Sequence, residues 1–283
     1  MSSLKTAIIS VYNKNGIIDF ANYLIKNDFQ ILSSGGTYNL LIKHINSLRI
    51  NTIENYTGFP EILNGRVKTL HPKIAGGILS TNSENDLNDL KKHNILKIDL
   101  VVCNLYPFKD TISKEHTHNQ AIENIDIGGV TLIRAAFKNY QHVLTLTDPN
   151  QYSTIMNQDF DYISDELYFN FAKDAMKHIS IYDMDITQYF NKSVHYRTFN
   201  EISPLKYGCN PHQTNSSIHK LDNIPFPVKV LNGKPGYINY IDAIQSWSLV
   251  TELRNLLNSP CAASFKHTAP AGVGTCSIIP KIY

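Results

Sequence analysis

Thr6-Ala7-Ile8-Ile9-Ser10-Val11 is a short, apolar, β-branched run that ends in the turn-rich Tyr12-Asn13-Lys14-Asn15-Gly16. Beyond the turn, Ile17, Ile18, Phe20, Ala21, Leu24 and Ile25 recur at helical spacing. Phe29-Gln30-Ile31-Leu32 repeats the strand pattern. Ser33-Ser34-Gly35-Gly36-Thr37 then turns into a second helical pattern through Leu40, Leu41 and His44, and Arg49 to Ile53 reads as a third strand. This β-α-β-α-β alternation predicts an α/β domain: an open, mostly parallel sheet with helices on both faces.

The pattern continues. Asp99-Leu100-Val101-Val102-Cys103-Asn104-Leu105 is a buried strand that stops at Tyr106-Pro107-Phe108. A polar stretch before it, residues 81–97, reads as a surface helix ending near His93-Asn94. Leu132, Ile133, Ala136 and Lys138 mark a helix, and His142 to Thr147 a strand. From Ser164 to about Phe190 the spacing is helical, with Leu167, Phe169, Phe171, Ala172, Ala175, His178 and Tyr182 as the inward set; His178 is read as structural. Around residues 191–204 the texture changes, so the chain divides into residues 1–198 and 199–283. The second part, about 80 residues with three Gly/Pro-rich loops and a helix over residues 241–257, is a small domain or an incomplete α+β segment.

In an open parallel sheet, ligands bind beyond the carboxyl ends of the strands. Ser10 to Lys14 and Ser34-Gly35-Gly36-Thr37 both fall there. A Gly pair admits an anion close to the backbone, and the following helix offers free N–H groups. Gly65-Arg66-Val67-Lys68-Thr69-Leu70-His71-Pro72 is a third loop, with a planar cationic fork, a point charge and a hydroxyl. Alone it reads as well as a solvated basic turn. With two turns at one sheet edge, a phosphate site is the better reading. Tyr106 by itself reads as a packing residue, and Asp126, just before Gly128-Gly129, as a helix cap. His116-Thr117-His118 lacks a third ligand and is not read as a metal site.

Composition sets the outer limits. The 283 residues are 42% hydrophobic and 18% charged, which describes a globular protein with a real core. A net charge of +2 is too small to argue for nucleic acid or a membrane surface as partner. No apolar run approaches a membrane span. Met1-Ser2-Ser3-Leu4-Lys5-Thr6 has neither a secretory nor a transit composition. Cys103, Cys209, Cys261 and Cys276 show no metal-ligand spacing and are expected as reduced thiols in a cytosolic protein.

Several segments recur, in order, in one family. They are Ser10-Val11 with Lys14 and Gly16, Ser34 to Thr37, Thr57-Gly58-Phe59-Pro60-Glu61, Gly65 to Pro72, Asn104-Leu105-Tyr106-Pro107-Phe108, and Ile125-Asp126-Ile127-Gly128-Gly129. On these the chain resembles the bifunctional purine-biosynthesis family that joins AICAR (5-aminoimidazole-4-carboxamide ribonucleotide) formyltransferase to IMP (inosine monophosphate) cyclohydrolase. The resemblance implies a methylglyoxal-synthase-like cyclohydrolase domain over residues 1–198. It implies the opening of a formyltransferase domain over residues 199–283, with Lys206, Tyr207, Asn210, Lys266 and His267 as remnants of that site. Lys206 stands where the family usually has Arg. The folate co-substrate, 10-formyltetrahydrofolate, belongs to the full-length family, so formyl transfer is not expected of this chain.

The resemblance further implies ring closure of formyl-AICAR (FAICAR) to IMP without metal or organic cofactor. The implied catalytic set is Lys68, Tyr106, Asp126 and Lys138. The implied phosphate site is Ser10, Lys14, Ser34, Gly35, Gly36 and Thr37, with Arg66 and Thr69 nearby. Tyr12, where many relatives carry Ser, would remove one phosphate contact. Twelve residues of helix would separate Asp126 from Lys138 by about 18 Å, so only the fold can bring them together. A homodimer is the implied partner state. The rival classes are a non-catalytic module that binds phosphorylated ligands, a methylglyoxal synthase and an inactive remnant. The four catalytic positions favour the enzyme.

Overall fold

The computed structural model describes residues 4–221 and 224–276; of the opening stretch read for targeting, residues 1–3 lie outside the described residues. The chain falls into two compact units, divided after His195, where the sequence reading placed the boundary after residue 198.

In the first unit, β1 (Lys5–Val11), α1 (Ile17–Lys26), β2 (Phe29–Ser33), α2 (Gly35–His44), β3 (Ile50–Thr52) and α3 (Ile53–Thr57) open the chain. After a loop come α4 (Pro72–Leu79), α5 (Glu84–Lys92), β4 (Leu100–Asn104), α6 (Phe108–Ile112), α7 (His118–Glu123), α8 (Gly128–Lys138), β5 (Leu144–Leu146), α9 (Tyr152–Met156) and α10 (Asp165–Phe190). The five strands form one parallel sheet in the order β3-β2-β1-β4-β5. The expected α/β architecture is therefore present, including its parallel pairing.

Strand alternation divides the core. Ala7, Ile9 and Val11 face α1, α2 and α9 with Phe20, Leu24, Leu41 and Ile155. Ile8, Val101 and Cys103 face α4 and α8 with Ile74, Ile78, Leu132 and Ile133. Strands buried on both faces read as continuous apolar runs, which is why β1 and β4 were legible. Helix α10 contributes Phe171 to the first layer and Ala175, Ile179 and Tyr182 to the second.

One expectation needs correction. Phe169 is 48% exposed rather than inward and lies against Tyr140, because the α10 stripe that packs runs through Phe171, Ala175 and Ile179. Helix α4 was not read from periodicity: eight residues with paired glycines give too short a pattern. Its start is nonetheless coded, with Pro72 in the first turn and His71 Nδ1 accepting from Lys73 N–H at 3.1 Å.

In the second unit, β6 (Phe199–Pro204) pairs antiparallel with β7 (Ser217–Leu221), α11 spans Tyr237–Leu257, and β8 (Cys261–Lys266) pairs antiparallel with β9 (Ala269–Thr275). Helix α11 begins four residues before the expected stretch. Its sides are largely exposed, including Trp247 and Leu256.

Asn139, buried at the end of α8, donates to the carbonyls of Ile78 and Ser80 at 2.8 and 2.7 Å. It thereby satisfies C-terminal carbonyls of α4 that the helix itself leaves open. Asn139→Ala is expected to cost about 1–3 kcal/mol, measured as a lower urea midpoint at constant slope.

Candidate functional site

Strand order reverses between β1 and β4, which lie side by side, so the crevice beyond their carboxyl ends is the topological switch point. Ser10 is the next-to-last residue of β1 there, and Tyr106 follows β4. Asn104 fixes this edge: its Oδ1 accepts from the Tyr12 and Asn13 N–H groups, both at 2.8 Å, and its Nδ2 donates to Asn13 O at 3.1 Å. A cleft of ≈ 580 Å³ opens here, lined among others by Ser10, Arg66, Lys68, Thr69, Tyr106 and Asp126.

The loop that carries Arg66 and Lys68 is a tight hairpin. Ile62 and Val67 form an antiparallel bridge, and Leu63, Asn64 and Gly65 turn the chain with φ of 55°, 54° and 86°. A left-handed Leu costs about 1–2 kcal/mol. The bridge places Glu61 opposite Lys68, and their side chains pair at 3.1 Å. Gly65 suits its φ of 86°, and a Cβ there would stand 2.5 Å from Glu61 Oε1 and 2.9 Å from Lys68 Cε, displacing the pair. Lys68 Nζ continues to α2, 3.4 Å from where a Cβ of Gly35 would stand.

Asp126 enters from the other wall. Its Oδ1 accepts from Gly129 N–H at 2.7 Å, at the first turn of α8. A Cβ on Gly129 would stand 2.8 Å from that carboxylate and 2.7 Å from Leu105. The backbone N–H of Asp126 donates to Tyr182 Oη at 2.7 Å, and Tyr182 donates to Asn124 O at 3.0 Å, so α10 holds the segment. Burial pushes the Asp126 carboxyl up from its ordinary value; the N–H groups of Gly129 and Tyr106 and the charge of Lys68 oppose the shift without cancelling it. Burial, with Asp126 adding to it, pushes the neighbouring Cys103 thiol well up.

The remaining expected residues divide. Thr69 is buried, its Oγ1 against Gly128. Arg66 is exposed and forks onto Glu123 at the end of α7, with Nε to Oε2 at 3.3 Å and a second contact from its terminal nitrogen to Oε1. Ser34, Gly35 and Gly36 form the start of α2. Thr37 and Lys14 are turned to structural work. Thr37 Oγ1 donates to Val11 O at 3.0 Å, and Lys14 Nζ donates to Val11 O and Tyr12 O at 3.3 Å each. Tyr12 meets Tyr106 at the rim, rings 5.5 Å apart. Lys138 is not brought to the cleft. Helix α8 is continuous, so Lys138 lies exposed in its last turn, about 15 Å along the axis from Gly128.

Glu61, Glu123 and Tyr182 were not expected at the site: Glu61 stood only within a recurring segment and Tyr182 only as an inward position of α10. Glu61 had a signal, an acid seven positions before Lys68 with a Gly between. Helical spacing marked Tyr182 as inward but not its partner, and Glu123 had no signal, since long-range packing brings both to the site. Among the described residues, no group of three or more His, Cys, Asp or Glu side chains is arranged to hold a metal ion, and no helix is long and apolar enough to cross a membrane.

Comparison with known proteins bears on this arrangement. The MGS-like domain model matches residues 16–131, and the AICARFT/IMPCHase bienzyme model matches residues 135–283. The chain belongs to the AICARFT/IMPCHase bienzyme family. Curated relatives named bifunctional purine biosynthesis protein PurH include those of Thermoanaerobacter sp. (40% identical), Halalkalibacterium halodurans (39%) and Oenococcus oeni (38%). Each match covers 99% of this chain and 56% of the relative, so the chain spans about half the length of the bienzyme relatives it matches. The crystal structure of ForH matches with a TM-score of 0.58 and 29% identity, over 67% of this chain and all of that one.

The raised Asp126 carboxyl has a stability consequence. A group whose folded pKa exceeds its unfolded one favours folding below the unfolded pKa and loses that contribution as pH rises through the folded pKa. Asp126→Asn is therefore expected to be more stable than the parent at pH 7. The difference should fade as pH falls into the unfolded carboxylate range, as read from denaturant midpoints against pH.

Proposed function

We propose that the first unit is an IMP cyclohydrolase, closing the purine ring of FAICAR. The observation that carries this reading is that Lys68 and Asp126, from distant stretches of sequence, face one cleft at the switch point with Tyr106 at its rim. The carboxamide nitrogen attacks the formyl carbon, the formyl oxygen becomes an oxyanion and takes up a proton, and water then leaves to give IMP. Both reacting groups belong to one molecule, so holding them face to face removes most of the entropic barrier.

In this proposal the Lys68 ammonium faces the formyl oxygen, where negative charge develops. Asp126, buried and more basic than an ordinary carboxylate, takes the amide proton and returns it to the leaving hydroxyl. Tyr106 Oη gives the oxyanion its proton and takes one back from the formamide N–H as water leaves, so the two protons of that water come from the two nitrogens. Ser10, Thr69 and the start of α2, with Arg66 released from Glu123, are proposed to receive the 5′-phosphate. The step draws its positive charge from Lys68 and asks for no metal or organic cofactor.

For formyl transfer, the residues expected in the second unit offer little enclosure. Lys206, Asn210, Lys266 and His267 are exposed, and Lys206 lies over the ring of Tyr207. We propose that this chain alone does not transfer a formyl group from 10-formyltetrahydrofolate to AICAR.

The test is IMP formation from FAICAR by the purified chain. Lys68→Ala and Asp126→Asn are expected to lower turnover at least a hundredfold. In the parent, the acid limb of kcat should be displaced upward from that of an ordinary aspartate, because burial raises Asp126, and Asp126→Asn should abolish that limb. Lys138→Ala is expected to stay within about threefold. A hundredfold loss there would instead mean that a second copy of the chain or a rearranged α8 supplies Lys138. Absence of IMP from the folded parent would overturn the cyclohydrolase reading.

A further inference from the structure

We infer that Glu61 is the positioning residue for Lys68, and that the strained 61–68 hairpin exists to present this pair to the cleft. The inference rests on the cyclohydrolase reading for its catalytic consequence; its structural half stands on the geometry alone.

Four observations converge. The Ile62–Val67 bridge, with hydrogen bonds of 3.2 and 3.4 Å, sets Glu61 and Lys68 as the next cross-strand neighbours. Their charged atoms meet at 3.1 Å, with side chains about one-third exposed (29% for Lys68, 33% for Glu61), so each has left most of its water. The turn joining them holds Leu63 in a left-handed conformation that its side chain disfavours, beside Asn64, which tolerates it. Gly65 contributes by lacking a side chain: both partners lie in the space that its Cβ would fill.

A pair that remains partly solvated adds little stability. Strained backbone beside a site persists where the surroundings over-determine it, and the strain then serves the site's geometry. Lys68 is a flexible four-carbon arm with three donors. Gly35 stands on one side of its Nζ and the Asp126 charge acts from the opposite wall. Without Glu61 the ammonium has no counter-ion on the hairpin, moves freely and no longer stands at one place facing the cleft. With Glu61 in place, the cation is held on the hairpin side. Glu61 touches no substrate in this arrangement. It acts through Lys68 by fixing where the charge stands.

The experiment uses the full chain with Glu61→Gln, Glu61→Asp and Glu61→Ala. Lys68 is labelled with a limiting dose of an amine-acylating reagent and quantified by peptide mass spectrometry. Glu61→Gln is expected to raise acylation of Lys68 at least fivefold, with Lys73 as an internal control that does not change. In FAICAR turnover, Glu61→Gln is expected to lower kcat ten- to a hundredfold with KM within threefold. Glu61→Asp should restore part of kcat, and added acetate should restore part of it in Glu61→Ala. A simple folding defect would give neither the KM-against-kcat split nor the acetate rescue. Unchanged Lys68 labelling in Glu61→Gln overturns the positioning role whether or not the chain turns over FAICAR. Altered labelling with unchanged kcat overturns its catalytic half. Absence of turnover in the parent, with altered labelling, overturns the cyclohydrolase reading and leaves the positioning role standing.

Discussion

The parallel pairing of β1 with β4 is the constraint on which the rest depends. Ile8 pairs with Val101 and Val11 with Asn104, so the two strands end together. β1 continues outward through β2 and β3, and β4 through β5, so the connecting segments diverge on either side of this pair. The divergence leaves a crevice that no connection covers. Asn104 secures the junction by donating to and accepting from the turn after β1. Removing that register would separate Ser10 from Tyr106 and dissolve the cleft.

Charge in the cleft is arranged in opposed couples. Lys68 is held to Glu61 on the hairpin, and Asp126 faces them from the start of α8. Arg66 is engaged by Glu123 at the mouth. A positive residue without a counter-ion would be mobile and strongly hydrated. Each cation here has a carboxylate that fixes its direction. An incoming anion can displace a partly solvated carboxylate such as Glu123 at little cost. The partly buried Asp126 is different: two N–H groups and α10, through Tyr182, hold it in place, and burial makes it a stronger base.

The second unit follows other rules. Its hairpins and α11 leave Trp247, Leu256 and Val273 exposed, and among its described residues Gly208, Gly236 and Tyr240 are buried. Lys266 and His267 stand at the turn of β8 and β9, where His267 and Thr268 have φ of 52° and 67°. Residues that read as site remnants therefore lie on surface loops, outside any enclosed cleft of the first unit's kind.

The sequence by itself determined the elements. Continuous apolar runs at β1 and β4 and helical spacing in α1, α8 and α10 are local properties, readable because burial on both faces demands apolar residues throughout. It also located the glycine-bearing loops and, by ordered resemblance, the family. The tertiary structure alone decided which loops share a site. Glu61 reaches Lys68 because a left-handed turn folds the hairpin back; Tyr182 reaches Asp126 because α10 packs beside α8. Thr37 and Lys14, read as ligand groups, are consumed by Val11, since a polar side chain beside an open strand end satisfies the backbone first. Lys138 stays apart for a reason that spacing already held: a rigid helix cannot bring its two ends together.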